Sequence, residues 1–509
     1  MNPTRLPAES FSSEAKQPLK TGLLHRLRTN WPEFSCAAAY AAIVASTIPF
    51  HEPFADEAQA WQLARSLSLR QLFITNIRYE ASPGLWHFLL WLLIRAHVTY
   101  AGLHWVCGAI AVSAISLFVF KSPFPRYLKL GMPFTYFLLF QYAVVARSYT
   151  LVPLLLFAIA WQWKSGHVRL AVLFGLLANV SLHCAVLSVG LALVYAVEQA
   201  RCFEPQVNRV RRNPATAMLL LACFWTFALW TAWPPHDLLL ARVRGDARPF
   251  LPNAIGSAVL GICQPWIISI PFWIAIALWF RDRNRLIYLI PVLFFAVFSG
   301  EVHFEWWHAG LLIPLLLALL WVTWPAAEPV LTIGVKLGRL ALLLLIVTQI
   351  AWSGYALVYD HFHAFSPDLA ASKFLEPLVN EYATIAVTYV DGPGVHAYTS
   401  VGILPYFKHN IYRNQPDSFW SWSERNPTES NFLAILPAHP QIVVVEKSSY
   451  DGESVDLNNP KLQLLFRSGY TFTNKFCGTM PLRLGHGLTN CHLIFQYLKS
   501  SPLPPGQRR

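Results

Sequence analysis

Asp56 and Glu57 stand side by side in His51-Glu-Pro-Phe-Ala-Asp-Glu-Ala-Gln-Ala-Trp-Gln-Leu-Ala-Arg65, a few residues beyond an apolar run. A third carboxylate, Glu80, arrives in Asn76-Ile-Arg-Tyr-Glu-Ala-Ser-Pro-Gly84, just ahead of the next apolar run. Acids beside a membrane are costly to keep unless something uses them. Held rigidly, such a carboxylate can accept a proton from an attacking hydroxyl, the work of a general base. Plainer roles compete with this one. Asp56 followed by Gln59 has the Asp-x-x-Gln form of a capping box. Glu57 and Glu80 are equally readable as loop acids paired with Arg65 or Arg78, worth about 0–1 kcal/mol when exposed. Ala60, Leu63, Ala64 and Leu67 recur at helical spacing opposite Gln59, Gln62, Arg65 and Ser66, which predicts a short helix lying in the interface.

The rest of the chain must hold those acids at a membrane face. Of its 509 residues 55% are hydrophobic and 13% charged, with a mean hydropathy of +0.40, too much apolar surface for a soluble fold to hide. Trp, Tyr and Phe number 20, 19 and 34, a load suited to anchoring helices at interfaces. The composition predicts an all-α polytopic membrane protein. Its net charge of +12 is no sign of nucleic-acid binding, because Lys and Arg fall in short clusters between apolar runs, where they orient helices.

Residues 1–32 carry Arg5, Lys16, Lys20, Arg26 and Arg28 and are expected in the cytoplasm; they are too long and basic for an ordinary cleaved signal. Phe34–Phe50 is the first span, leaving 51–83 as an outer loop. For the later basic clusters to be cytoplasmic, 85–163 must cross an odd number of times, taken as three. Two short helices over 169–198 follow, then spans near 215–233, 254–280, 286–300, 307–324 and 337–357. That makes about eleven transmembrane helices within a domain of 33–357, with the loop 233–253 outside. Residues 358–509 change character: a helical pattern over Pro367–Asn380 and β-rich runs at Thr384–Val390, Gln441–Glu446 and His492–Tyr497 predict an extracytoplasmic α/β domain. Among eight Cys no metal-ligand spacing occurs, and only Cys477 and Cys491 are placed to pair, free thiols being the alternative. Asp391-Gly-Pro-Gly394 is a turn, since no Lys completes a phosphate loop.

An outward Asp-Glu after the first transmembrane helix, an interfacial helix, and a Tyr79-Glu-Ala-Ser-Pro83 turn into the next helix resemble the GT-C fold glycosyltransferases that use polyprenyl-phosphate sugars. The nearest members are the protein mannosyltransferases, the lipid A aminoarabinose transferases and the RgtA/B/C/D-like group. Ala146-Arg-Ser-Tyr-Thr-Leu-Val152 is similar to the Ala-Arg-Pro-Tyr-Ala-Leu element of the last group, with Ser148 in place of Pro. The resemblance spans roughly residues 34–320. It implies a polyprenyl-phosphate-linked sugar as donor, an extracytoplasmic lipid, glycan or protein as acceptor, and a bacterial inner membrane as location. Asp56 would be the general base and Glu57 its orienting neighbour. Arg147, with Arg78 and His183, would meet the donor phosphate, an anionic leaving group that needs charge neutralisation. In the aminoarabinose transferases the acid matching Glu80 holds a divalent metal with a later His, for which His236 in Trp233-Pro-Pro-His-Asp-Leu238 is the candidate; here two residues rather than one separate Glu80 from Pro83. Arg242, Arg244 and Arg248 make that loop basic.

Glu301-Val-His-Phe-Glu-Trp-Trp-His308 clusters acids and imidazoles at the end of a helix, with His303 and Glu305 as candidates for a head group and the two Trp as interface anchors. His183 is equally readable as a hydrogen-bonding group between helices. Two functions outside this family fit the composition, a transporter or flippase of lipid-linked sugars and a non-catalytic membrane scaffold.

Overall fold

The computed structural model describes residues 30–498 except 202–213, 239–258, 264, 303–304, 326–331, 381–383, 391–400, 416, 424–427, 450–451 and 484–485. Arg242, Arg244, Arg248, His303 and the Asp391–Gly394 turn lie outside the described residues.

Apolar sequence becomes helix almost throughout the first three quarters of the chain: α1 (Trp31–Thr47), α2 (Ala55–Ser66), α3 (Leu85–Arg95), α4 (Tyr100–Lys121), α5 (Leu151–Gln162), α6 (His167–Ala178), α7 (Leu182–Arg201), α8 (Pro214–Ala232), α9 (Ser269–Arg281), α10 (Ile290–Glu301), α11 (Leu312–Thr323) and α12 (Ile333–Phe362). Among the described residues five helical stretches are long and apolar enough to cross a membrane: Tyr100–Lys121, Leu182–Arg201, Pro214–Ala232, Trp306–Thr323 and Ile333–Phe362. Their outer faces carry exposed large residues, among them Met218, Leu219 and Leu229 on α8 and Leu340, Leu343 and Val347 on α12. Such faces are stable only against lipid or another apolar surface.

Between α4 and α5 the chain does not form one regular helix. Arg126–Gly131, a 3-10 turn at Met132–Phe134 and a π-helical turn at Phe137–Gln141 lead into the irregular stretch that delivers Arg147. Residues 136–146 are buried throughout, so the broken backbone is covered by protein. Gly310 makes that packing possible, because a side chain there would collide with the rings of Phe137 and Tyr142.

The C-terminal part holds α13 (Asp368–Asn380), β1 (Ile385–Tyr389), α14 (Thr428–Ile435), β2 (Ile442–Ser449), α15 (Pro460–Arg467), β3 (Tyr470–Arg483) and β4 (His486–Tyr497). The four strands are ordered β1-β2-β4-β3, with β1 parallel to β2 and the other pairs antiparallel. Successive residues of a strand face opposite sides. Here both sides are covered: Ala386, Val443, Val445 and Phe495 pack with Phe432, Leu462 and Leu465, while Ile385, Val387, Val444 and Ile494 pack with Ala371, Leu375 and Leu404. That explains the unbroken apolar runs of β1 and β2. Cys477 and Cys491 face each other across β3 and β4 and are joined by a disulfide.

The expected water-facing side of α2 is corrected. From Ala55 to Ala64 only Asp56 is not fully buried. The side predicted to meet water is the docking side for the C-terminal part: Gln62 Nε2 donates to Ser418 O at 2.8 Å, and the Arg65 guanidinium donates to the carbonyls of Phe407 at 2.9 Å, Leu404 at 3.3 Å and Pro405 at 3.5 Å. Arg65 therefore pairs with neither Glu57 nor Glu80. Losing those charge-assisted bonds costs about 1.5–3 kcal/mol. Arg65→Ala is expected to speed hydrogen exchange across residues 401–407 while α4 stays protected.

Candidate active site

Three elements meet at Glu57, whose side chain is fully shielded from solvent. Phe54 is the extended residue that opens α2, and its amide donates to Glu57 Oε1 at 2.8 Å. The helix is thus capped by Glu57 reaching back three residues, not by Asp56, which corrects the capping-box expectation. Glu57 Oε2 accepts from the Ala146 amide at 2.6 Å and from His104 Nε2, in the first turns of α4, at 3.0 Å. His51 Nε2 lies 3.6 Å from Oε1, and His51 Nδ1 donates to both oxygens of Asp360, near the end of α12, at 3.1 Å. Burial penalises the charge on Glu57, but the hydrogen bond from His104 and the His51 imidazole outweigh it and hold the carboxyl well below its usual range. Burial likewise opposes protonation of His51, and Asp360 with Glu57 overcomes it, raising the imidazole to about 10.

With Glu57 fixed, its neighbours in the chain are aimed. Asp56 turns the other way and meets the Arg147 guanidinium at 2.6 Å, each side chain about five-sixths buried. Arg147 sits at the extended residue before the helical turn Ser148–Thr150, its amide position set by the Glu57 bond to Ala146. The guanidinium lies over the Trp307 ring at 4.5 Å and near the Tyr149 ring at 5.5 Å.

Asp56, Arg147, Glu80 and His183 line one cavity of about 300 Å³, together with Gln59, His87, Glu305 and His308. Its apolar wall includes Trp86, Phe298, Trp422, Met480 and Leu488, the last three from the C-terminal part. The sequence thus identified four of the polar lining residues, plus Glu305 from the 301–308 cluster. Glu80 is held by Gln59, one turn along α2 from Asp56, whose Nε2 donates to Glu80 Oε1 at 3.0 Å and also to the Trp420 carbonyl. Desolvation under that cover raises the Glu80 carboxyl to about 7; the Gln59 bond opposes the rise and Asp56 adds to it. The turn that presents Glu80 is closed by Ala81 in the left-handed region at φ 47°, a conformation glycine or asparagine adopts more cheaply.

His308 Nδ1 accepts the Glu305 amide at 2.9 Å, so Nε2 bears the ring proton and donates it to Tyr149 Oη at 2.7 Å. His183 packs against His308 with ring centroids 3.9 Å apart and the planes tilted by 30°. Gln59 Oε1 and both nitrogens of His87 are buried without a protein partner. His87 had no motif to mark it; Tyr149 and His308 stood in the 146–152 element and the 301–308 cluster without being singled out, and Gln59 looked like a capping partner on the wet side of an amphipathic helix.

Two expected site residues are placed elsewhere. Arg78 donates through Nε to the Trp233 carbonyl at 2.9 Å, tying the Glu80 turn to the end of α8, and does not line the cavity. His236 is exposed and is also not in the lining, while its neighbour Asp237 accepts from Tyr79 at 2.9 Å and Ser423 at 3.0 Å. Glu80 lines the cavity and His236 does not, so the two expected metal ligands are not brought together there. One oxygen of Glu80 accepts from Gln59 Nε2, and burial keeps its carboxyl protonated up to about 7.

Compared with protein-family models, curated proteins and solved structures, the chain finds no match. The reading of the site therefore rests on its own geometry.

Removing Glu57 would strand a buried imidazole and two buried amides. Glu57→Ala is expected to cost about 3–5 kcal/mol, as when one partner of a buried charged pair is removed. Glu57→Gln, which keeps an acceptor for one amide, should cost less; thermal unfolding in detergent compares the two.

Proposed function

We propose that the chain is a membrane glycosyltransferase that moves a sugar from a polyprenyl-phosphate donor to a hydroxyl acceptor on the outer side of the membrane. The observation that carries this reading is the Asp56–Arg147 pair at 2.6 Å inside a cavity that also holds unpartnered polar groups. A base and a cation in direct contact suit a displacement in which a proton leaves the nucleophile as negative charge gathers on the leaving phosphate. The acceptor oxygen attacks the anomeric carbon, the bond from that carbon to the phosphate oxygen breaks, and the acceptor proton passes to Asp56. Arg147 neutralises the departing phosphate. A phosphate entering the cavity competes with Asp56 for the same guanidinium, so donor binding frees the base it needs. Gln59 Oε1 and the His87 nitrogens are suited to sugar hydroxyls, which donate and accept in turn. The cavity, at the small end of the usual ligand-site range of roughly 300–1,000 Å³, suits a head group with its lipid tail outside.

Eleven crossings with the C-terminal part outside form part of the same proposal. One end of the bundle is gathered by contacts of Glu33 with Arg126, Glu198 with Arg285 and Asp282 with the Gly334 amide, amid the basic clusters that mark a cytoplasmic side. The other end is gathered by His51 with Asp360, Glu57 with His104, and Asp56 with Arg147. α1, α4, the broken stretch 126–147 and α5 through α12 each run between these groups, which supports eleven. α3 begins at the cavity, and Arg95 at its end donates to the Ala64 carbonyl of α2, so both of its ends stay on one side. That assignment keeps three passes within 85–163, with the broken stretch as one of them in place of α3.

The test uses wild type and Asp56→Asn in liposomes with radiolabelled undecaprenyl-phosphate sugars and a membrane extract as acceptor source. Asp56→Asn is expected to lower transfer about 10²- to 10⁴-fold while donor binding persists. Equal transfer by both would remove Asp56 from the reaction, and absence of transfer with every donor would favour a transporter or scaffold. Arg147→Gln should raise the donor KM about 10- to 100-fold, the worth of a charge-assisted hydrogen bond.

The Glu80 carboxyl, protonated below about 7, repels an anionic donor only above that value. Donor KM is therefore expected to climb as pH rises through about 7 in wild type and to stay flat there in Glu80→Gln.

A further inference from the structure

We infer that His51, Glu57 and His104 form a structural site for a divalent transition-metal ion, zinc by the chemistry of its ligands, beneath the catalytic cavity and separate from the Glu80–His236 pair. Their ligand atoms, His51 Nε2, a Glu57 oxygen and His104 Nε2, lie within 4.8 Å of one another, and all three residues are buried. Two imidazoles and one carboxylate are a ligand set that zinc accepts, at bond lengths of about 2.0–2.2 Å. Tetrahedral angles at those lengths put ligand atoms about 3.3 Å apart. His51 Nε2 lies 3.6 Å from Glu57 Oε1 and His104 Nε2 lies 3.0 Å from Oε2, so the two imidazoles flank the carboxylate at its separate oxygens, each near that value.

His51 supplies the independent observation. Its Nε2 is completely buried, points to the carboxylate, and has no hydrogen-bond partner. At 3.6 Å the contact with Glu57 is too long for a charge-assisted hydrogen bond, which closes to about 2.7–2.9 Å. The opposite ring nitrogen donates to Asp360 at 3.1 Å. A carboxylate behind a ligating histidine fixes the ring and the tautomer that leaves Nε2 bearing its lone pair toward the metal. Glu57 is supported in the same manner, by the Phe54 and Ala146 amides. Charge also closes: a dication balances Glu57 and Asp360. A bound ion would take the place of the proton on His51 Nε2 and of the His104 Nε2–Glu57 hydrogen bond, His104 then carrying its proton on Nδ1.

The ligands come from three places: the residue stretch after α1, the first turn of α2 and the first turns of α4. An ion there would fasten these elements one residue away from Asp56. It touches no reacting atom in this scheme; it is a positioning site.

The experiment uses full-length protein in detergent, loaded with Zn²⁺, dialysed free of loose ion and assayed by elemental analysis, with a parallel Co²⁺ loading read by absorption spectroscopy. Wild type and His236→Ala should retain about one metal per chain, and His51→Ala and His104→Ala none. Co²⁺ in wild type should show the intense visible bands of a four-coordinate site, and chelation should lower its thermal midpoint. Wild type that retains no Zn²⁺, or Co²⁺ with the weak spectrum of the hydrated ion, overturns the proposal in favour of a purely hydrogen-bonded cluster. So does retention by either histidine variant. The Co²⁺ and chelation arms need no variant and decide the matter even if the substitutions prevent folding. None of the readouts depends on glycosyl transfer, so failure here leaves the proposed activity standing.

Discussion

A buried carboxylate must be satisfied from every side or it unfolds its surroundings, and Glu57 is satisfied by groups that are far apart in sequence. Phe54 comes from the start of its own helix, His104 from α4, and Ala146 from the broken stretch before α5. None of these partners can move without exposing an unpaired charge to an apolar interior. Asp56 and Arg147 inherit their positions from that constraint, since each is the chain neighbour of a Glu57 contact point. Two adjacent acids thus divide the labour: one is locked inside the fold, and the other is left at the cavity wall.

The aromatic surroundings sharpen this arrangement. Arg147 is over Trp307 and beside Tyr149, which shield its charge from bulk solvent while leaving the guanidinium edge for Asp56. Tyr149 in turn accepts a hydrogen bond from His308, whose own tautomer is fixed by a backbone amide. A cation held against π-faces in a poorly hydrated cavity interacts more strongly with any anion that enters than it would in water. The same burial raises the Glu80 carboxyl to about 7 and so weakens a competing negative charge below that value.

Much of this was legible in the residues because it depends on local chemistry. The apolar runs marked the helices, and Asp56 and Glu80 with Arg147 and His183 marked the cavity, while Glu57 lies buried behind it. β1, β2 and the end of β4 followed from β-branched runs. β3 escaped because Gly478 and Pro481 interrupt it; as the edge strand it tolerates both. The burial of α2 escaped for another reason. Gln59, Gln62 and Arg65 look like a wet face by composition, and only the arrival of residues 401–422 from far along the chain dries it. Long-range contact of that kind also placed His51 beside Asp360 and His104 beside Glu57, pairings that no spacing announces.

Trp422, Met480 and Leu488 form part of the same cavity wall as Asp56, though they belong to the small sheet domain and its approach. A growing chain therefore finishes its acids early and its wall late. Until β3 and β4 have paired, the pocket has one side missing, and the closure joins segments at the greatest sequence separations in the fold, the slowest kind of contact to form. A half-made molecule already standing in the bilayer would hold its carboxylates and arginine open to water, where their mutual attraction is weak. The Asp56–Arg147 pair thus gains its full cover only when β3 and β4 have folded against it.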